Sequence, residues 1–92
     1  MIGMQDEIEK IVFNVIEMLK AERLGQSLSH EKLSQKANIH RTSIGHIEAH
    51  QMVPTLTMCL KISRALQIDF DVLLRNAFRA AVDTHSNFDD TN

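Results

Sequence analysis

The sequence predicts an all-α, compact five-helix domain, and three observations support this prediction. Apolar residues recur at steps of three and four along most of the chain, which is the spacing of helices that bury one face. Ser, Thr and Asp residues precede several of these runs, where their side chains can cap a helix. No segment alternates apolar and polar residues as a half-buried strand does.

The first helix is expected over residues 5–24. Its apolar positions are Ile8, Ile11, Val12, Val15, Ile16 and Leu19. Glu and Lys residues lie between them, so the helix is amphipathic. Gly25 is expected to end it, because glycine readily adopts the left-handed conformation that follows many helices.

The second and third helices are expected over residues 30–37 and about 40–49, with a sharp turn between them. Ser29 is a suitable N-cap for the second helix, and Asn38 tolerates the left-handed backbone of such a turn. The apolar residues expected to face inward are Leu33, Ala37, Ile39, Ile44 and Ile47. The pair is typical of a helix-turn-helix, but plain helical hairpins share this spacing, so the spacing alone leaves DNA binding open.

The fourth helix is expected to begin after Thr55, with Leu56, Cys59, Leu60 and Ile62 as its apolar contacts. The fifth, an extended C-terminal helix, is expected to run from Phe70 to about Val82. Together the five helices make one domain over residues 1–82, with helical extensions at both ends. Residues 83–92 are polar and acidic, and we expect them to form a disordered acidic tail.

Composition excludes several classes of protein. No apolar run approaches the roughly 18 to 20 residues of a membrane span, and the acidic start lacks the basic residues of a secretory signal. Cys59 is the single cysteine, which excludes an internal disulfide and fits a reducing compartment. We therefore expect a cytoplasmic protein with no membrane partner.

Charge is distributed unevenly along the chain, whose formal net charge is −2. Residues 23–64 carry six basic and two acidic side chains, a net charge of +4, and four of the five histidines. Each flanking segment carries two basic and five acidic side chains, a net charge of −3. The segment with the predicted helix pair is thus the basic one, as expected of a surface that faces nucleic acid.

A more specific signal is the spacing of residues through the helix pair and beyond it. The pattern is Leu28-Ser29-x-Glu31-x-Leu33-x-x-x-Ala37-x-Ile39-x-Arg41-x-x-Ile44-x-x-Ile47-Glu48, then Pro54, then Leu60-x-Ile62-x-x-Ala65-Leu66-x-Ile68, then Leu73-Leu74. It closely resembles the phage-repressor and Cro type of helix-turn-helix domain, the XRE family, over roughly residues 10–75. The resemblance implies a sequence-specific transcriptional regulator of double-stranded DNA, a repressor that binds a short operator as a homodimer.

The resemblance also implies roles for individual residues. Helix 40–49 matches the recognition helix that enters the major groove, where Arg41 is suited to pair with guanine and Thr42 to contact a base edge. Ser29 and His30 match positions that contact phosphate. The complete set of expected DNA contacts is Ser29, His30, Lys36, His40, Arg41, Thr42, Gly45, His46 and Gln51.

Other matched positions are structural, and some depart from the family pattern. Arg23 and Glu48 fall where many members have a buried ion pair between the first and third helices. His40 replaces the usual Ser or Thr cap, which should weaken the start of the recognition helix. Gly45 offers no side chain for base contacts, so it either permits close approach to the DNA or reduces sequence readout. Ala49 and His50 replace the Arg/Asn-Gly ending that is frequent in the family, which affects the helix stop and a phosphate contact.

The histidines allow three interpretations. His46 and His50 are four residues apart, a spacing that metal sites use, but the zinc-protease pattern needs Glu directly after the first histidine, where this chain has Ile47. We expect no metal and no cofactor. The cluster, with His30 and His40, forms either a DNA surface that gains charge as pH falls toward 6 or a set of neutral polar residues.

The C-terminal helix carries an apolar stripe of Leu74, Phe78 and Val82. These residues are dimerisation candidates, because a symmetric dimer brings two recognition helices to half-sites about one DNA turn apart. Alternatively, they pack against the first helix. A protein-interaction module, such as an antitoxin-like partner binder, is the alternative function, and activation through RNA polymerase remains open. An enzyme is not expected, because no nucleophile and base set, metal cluster or phosphate loop is present.

Overall fold

Five helices form the structure, a computed structural model that describes the backbone of residues 2–90 and the side chains of residues 6–82. In chain order they are α1 (Ile2–Gly25), α2 (His30–Ala37), α3 (Arg41–Glu48), α4 (Leu56–Ala65) and α5 (Phe70–Asp90). The described backbone contains no strand. The all-α, five-helix prediction is therefore confirmed. None of the described helices is long and apolar enough to cross a membrane.

The core draws on all five helices. Its buried apolar residues are Val15, Ile16, Leu19, Leu33, Ala37, Ile44, Ile47, Cys59, Ile62, Leu66, Leu73 and Ala77. Leu33, Ile44 and Leu66 are the largest fully buried side chains, and they join α2, α3 and the end of α4. Small residues on α5 bring it close to α1, where Asn14 Nδ2 donates a hydrogen bond to the Ala77 carbonyl over 3.1 Å.

Two predicted N-caps are confirmed. The hydroxyl oxygens of Ser29 and Thr55 accept hydrogen bonds from the amides of Lys32 and Met58, each over 3.1 Å, at the starts of α2 and α4. His40 precedes α3 and makes no side-chain capping bond, as the sequence suggested. The turn between α2 and α3 passes through Asn38, whose φ of 58° is left-handed as expected.

Helix termination differs from the prediction in one respect. Gly25 is the last residue of α1 rather than the left-handed residue after it, and that conformation falls on Ser27 with φ 57°. The Leu28 amide then donates to the Arg23 carbonyl over 3.1 Å, which satisfies an end carbonyl in the usual way for such a stop. Glycine propensity predicted the stop at Gly25, whereas in the structure the left-handed residue lies two positions later, between the buried Arg23 and Leu28, which packs partly against the core.

The two terminal helices are longer than predicted. α1 begins at Ile2 instead of residue 5, and α5 continues past Val82 to Asp90. No proline or glycine lies between Phe70 and the end of the chain, so no residue there breaks a helix. A disordered acidic tail is expected over residues 83–92. The side chains there lie outside the described residues, so the disorder stays a prediction.

Candidate nucleic-acid interface

A shallow depression of about 530 Å³ lies between the start of α2 and the outer face of α3. It is lined by Ser29, His30, Glu31, Arg41, Thr42, Gly45 and His46. Most of the DNA contacts expected from the sequence are therefore brought together on one surface. The helix pair produces this arrangement, since Leu33 of α2 and Ile44 and Ile47 of α3 point into the core and leave the opposite faces exposed.

Arg41 is the most exposed charged group of the depression, with 68 % of its side chain accessible. Its Nη1 lies 3.7 Å from Glu31 Oε1, whose side chain is 63 % exposed. An ion pair between two exposed groups at this distance is weak, so the guanidinium can be released to a ligand. Sequence reasoning treated Glu31 as part of the family pattern and did not identify it as the neighbour of Arg41.

Arg23 and Glu48 lie together beneath the depression, where each side chain is 10 % exposed. Arg23 Nε donates to Glu48 Oε2 over 2.7 Å, and Nη2 donates to Oε1 over 2.8 Å. Its third nitrogen, Nη1, donates to the Leu28 carbonyl over 2.6 Å. The pair links the end of α1 to the end of α3, which is the role that the resemblance implied.

His30 joins this pair, which the sequence did not suggest. Its Nε2 lies 2.9 Å from Glu48 Oε1, and a carboxylate can only accept, so Nε2 is the donor. Burial by itself raises the pKa of the Glu48 carboxyl, but the hydrogen bonds and charges of Arg23 and His30 outweigh it and hold the pKa below its usual value. His30 therefore connects the buried pair to the surface, where 43 % of its side chain is exposed.

Gly45 lies in the floor of the depression, beside His30. A Cβ at this position would lie 3.9 Å from His30 Nδ1, an ordinary van der Waals contact, so the protein itself has room for a side chain here. A lack of space within the domain therefore does not explain the glycine. Gly45 does leave the helix backbone open between Arg41 and His46 on the exposed face.

The remaining expected contacts lie outside the depression. Lys36 is exposed on α2, and Gln51 is exposed in the loop after α3. His40 is exposed just before α3 and borders a neighbouring hollow with Gln35 and Ile39. Positions of this kind suit contacts to a ligand that extends beyond the depression, such as a phosphate backbone.

His50 turns away from the depression. α3 ends at Glu48, and His50 has a φ of 61°, so it does not share a helical face with His46 as the four-residue spacing suggested. Its Nε2 lies 2.7 Å from Glu17 Oε2, and its ring stacks on Phe13 with centroids 4.4 Å apart. No group of three or more possible metal ligands occurs among the described residues.

The C-terminal candidates for an interface are partly exposed. Phe78 is 48 % exposed and Val82 38 %, while Leu74 is half-buried against the core. Leu74 also lines a groove between α4 and α5 with Leu56 and Leu60, which are 66 % and 50 % exposed. The sequence counted these two leucines as inward contacts. The buried face of α4 is formed by Cys59 and Ile62, as expected, together with Ser63.

The chain was also compared with known proteins. A family model described as helix-turn-helix matches residues 19–73, which is more than half of the chain. The match includes the end of α1, all of α2, α3 and α4, and the start of α5. No curated protein and no solved structure matches. The family match covers both the depression and the buried pair beneath it.

Proposed function

The chain belongs to the XRE-type helix-turn-helix family of DNA-binding regulators, and from that premise we propose that it is a repressor. In this proposal it binds a short operator as a homodimer, with α3 in the major groove. Repression would follow from occupation of the promoter, which blocks polymerase sterically.

The observation that carries the proposal is the exposed face of α3. Arg41, Thr42, Gly45 and His46 all border the depression, and the helix begins at Arg41. The major groove admits an α-helix, and the N-terminal residues of a recognition helix are the ones that contact base edges. The side chains best placed for those edges are therefore Arg41 and Thr42.

Arg41 is proposed to recognise guanine. Its planar guanidinium can donate two parallel hydrogen bonds to O6 and N7 of this base. The exposed contact with Glu31 holds the side chain loosely before binding, and a guanine in the groove would replace it. Glu31 then limits non-specific attraction of the protein to DNA, because wherever Arg41 has no base partner the negative carboxylate repels the negative phosphates.

Contacts with phosphate are proposed for the start of α2. Ser29 Oγ accepts from the Lys32 amide, which leaves its own proton free to donate to a phosphate oxygen. The helix terminus adds a favourable dipole and free amide groups. His30, Lys36, His40 and Gln51 are assigned to flanking backbone contacts, which fix orientation without selecting sequence.

The homodimer is proposed to form through the stripe of Leu74, Phe78 and Val82. The partial exposure of Phe78 and Val82 supports this, because an apolar ridge on a small domain is best explained by a partner surface. Two copies related by a two-fold axis would present two recognition helices to one operator.

Selection of bound duplexes from random DNA tests the proposal. Wild type is compared with Arg41→Ala and with Arg64→Ala, an exposed arginine on α4 outside the depression. We expect wild type and Arg64→Ala to select the same sites, and Arg41→Ala to lose preference for guanine at one position per half-site. A wild-type protein that selects no common sequence would contradict the proposal, and identical sites with Arg41→Ala would remove the role of that residue.

A second candidate function is a protein-interaction module, and the exposed groove between α4 and α5 favours it. Leu56 and Leu60 add to the apolar surface of α5 beyond what the sequence indicated. The salt dependence of DNA affinity distinguishes the two functions, because groove binding releases counterions from the phosphates that it neutralises. A negligible salt slope would favour the interaction module.

A further inference from the structure

We propose that Phe13, Glu17 and His50 form a positioning cluster that sets the tilt of α3. None of the three borders the depression. The cluster joins the segment just after the C-terminal end of α3 to the middle of α1, the longest helix of the described chain. This inference rests on the proposed function and goes beyond it, since it assigns a role in recognition to residues away from the DNA.

The backbone conformation at His50 is the first support. Four described residues other than glycine have positive φ: Ser27, Asn38, His50 and Gln67. Each follows a helix, where glycine would adopt the conformation at lower cost. His50 is the one of the four whose side chain makes a hydrogen bond or a ring contact. At His50 the left-handed conformation therefore comes with side-chain contacts that glycine could not make.

The contacts themselves are the second support. The rings of Phe13 and His50 are almost parallel, with an angle of 10° between their planes. The His50 Nε2 donor and the Glu17 carboxylate fix the rotation of the imidazole over the phenyl ring. Phe13 is 50 % exposed, so this ring contact contributes little to the core. Its main effect is to fix the position of His50 relative to α1.

The short length of α3 is the third support. Ile44 and Ile47 hold the helix on the core, but two buried side chains on one face leave its tilt to contacts at its ends. At its N-terminal end α3 is joined to α2 by the turn through Asn38 and by the exposed Arg41–Glu31 pair, and at its C-terminal end Glu48 bonds to Arg23 and His50 contacts α1. Eight residues at about 1.5 Å each make a lever about 12 Å long, so a tilt of about 5° moves Arg41 by about 1 Å. A displacement of that size is enough to misplace a bidentate contact with a base.

The test compares affinity for a selected operator with affinity for unrelated DNA. We expect His50→Gly and Phe13→Ala to lower this ratio by about tenfold, which corresponds to about 1.4 kcal/mol. Phe13→Tyr keeps the stacking and should keep the wild-type ratio. Gln67→Gly is the matched control, because it introduces glycine at an equivalent left-handed position after α4, away from the helix pair.

The outcomes separate the positioning role from a purely structural one. Because glycine relieves the left-handed strain, His50→Gly should unfold at nearly the wild-type denaturant midpoint although its specificity is reduced. The inference would be overturned if His50→Gly and Phe13→Ala both kept the wild-type affinity ratio. It would also be overturned if Gln67→Gly lowered the ratio as much as they do. Both results leave the proposed function standing.

If wild type selects no DNA sequence, the proposed function fails and a second measurement decides the inference. Residual dipolar couplings of the α3 amides report the orientation of this helix relative to α1 without DNA. A changed orientation in Phe13→Ala, with Phe13→Tyr like wild type, would support the positioning role. Unchanged couplings in Phe13→Ala would overturn it.

Discussion

Glu48 accepts two hydrogen bonds from Arg23, at 2.7 Å from Nε and 2.8 Å from Nη2, and each side chain is only 10 % exposed. The contact spans the end of α1 and the end of α3, and His30 adds a third hydrogen bond from the surface. Because both charges have lost most of their hydration, each depends on the other far more than in a surface ion pair.

Removal of one partner should therefore be costly. We expect Glu48→Ala to lower the free energy of unfolding by about 3–5 kcal/mol, since the Arg23 charge stays buried without its carboxylate. The double variant Arg23→Met with Glu48→Leu should lose less than the single variant, because it leaves no charge unpaired. Urea denaturation measures both effects. Equal stability of wild type and Glu48→Ala would show that the pair contributes nothing.

The lowered pKa of Glu48 predicts a dependence of stability on pH. A carboxyl whose pKa is lower in the folded state binds its proton more readily when unfolded, so its contribution is complete above the unfolded pKa of about 4.3 and is lost as pH falls through the folded pKa. The difference in unfolding free energy between wild type and Glu48→Gln should thus shrink as pH falls below about 4. A difference that stays constant down to pH 2.5 would contradict this prediction.

The helix pair was predictable because its signals are local. Ser29 as a cap, Asn38 in the turn and the apolar spacing each depend on residues within one or two turns of helix. The pairing of Arg23 with Glu48 came from the resemblance, since their 25-residue separation leaves no local signal.

Contacts that depend on the tertiary arrangement were not predictable in the same way. His50 was placed with His46 because a helical spacing of four was assumed, but the helix ends before it and the ring turns to Phe13. His30 was assigned to phosphate, and nothing in the sequence indicates that its Nε2 meets Glu48. Leu56 was counted as a core contact, since spacing cannot tell which apolar face of α4 meets the rest of the chain.

Ser63 offers a test of an unsatisfied polar group. Its hydroxyl is the one buried side-chain polar atom without a hydrogen-bond partner among the described residues. We expect Ser63→Ala to raise the free energy of unfolding by about 1–2 kcal/mol, from the lost desolvation cost and the better helix propensity of alanine. Ser34→Ala is the control, because Ser34 Oγ donates to the Glu31 carbonyl over 2.7 Å, so the propensity gain is offset by the loss of this bond and no unsatisfied group is removed. The prediction fails if both variants gain equally in thermal or urea denaturation.

A substitution at Gly45 should change stability and DNA binding in opposite directions. Since a Cβ there would meet only ordinary contacts, Gly45→Ala should raise the free energy of unfolding by about 0.5–1 kcal/mol through helix propensity. On the proposed function it should also weaken operator binding, because the methyl group occupies space at the floor of the depression. Gly25→Ala, with no atom within 4 Å of the added Cβ, controls for the stability gain alone. Unchanged operator affinity in Gly45→Ala would exclude close approach of DNA at this residue.

The dimer proposal predicts that a charge on the α5 stripe produces a folded monomer. Phe78→Asp should keep the fold, because Leu73 and Ala77 carry the contact with the rest of the domain and Phe78 is 48 % exposed. Val72→Asp is the matched control, since Val72 is 46 % exposed on a different face of α5.

Sedimentation equilibrium over a range of concentrations gives the mass of each protein. We expect dimers for wild type and Val72→Asp and monomers for Phe78→Asp. Operator affinity should fall only in Phe78→Asp, because a monomer loses the second half-site and the effective concentration that linkage provides. A wild type that is monomeric at every concentration would exclude the homodimer in free solution. A dimeric Phe78→Asp would place the interface elsewhere. The exposed Leu56 and Leu60 of the neighbouring groove would then be the next residues to change.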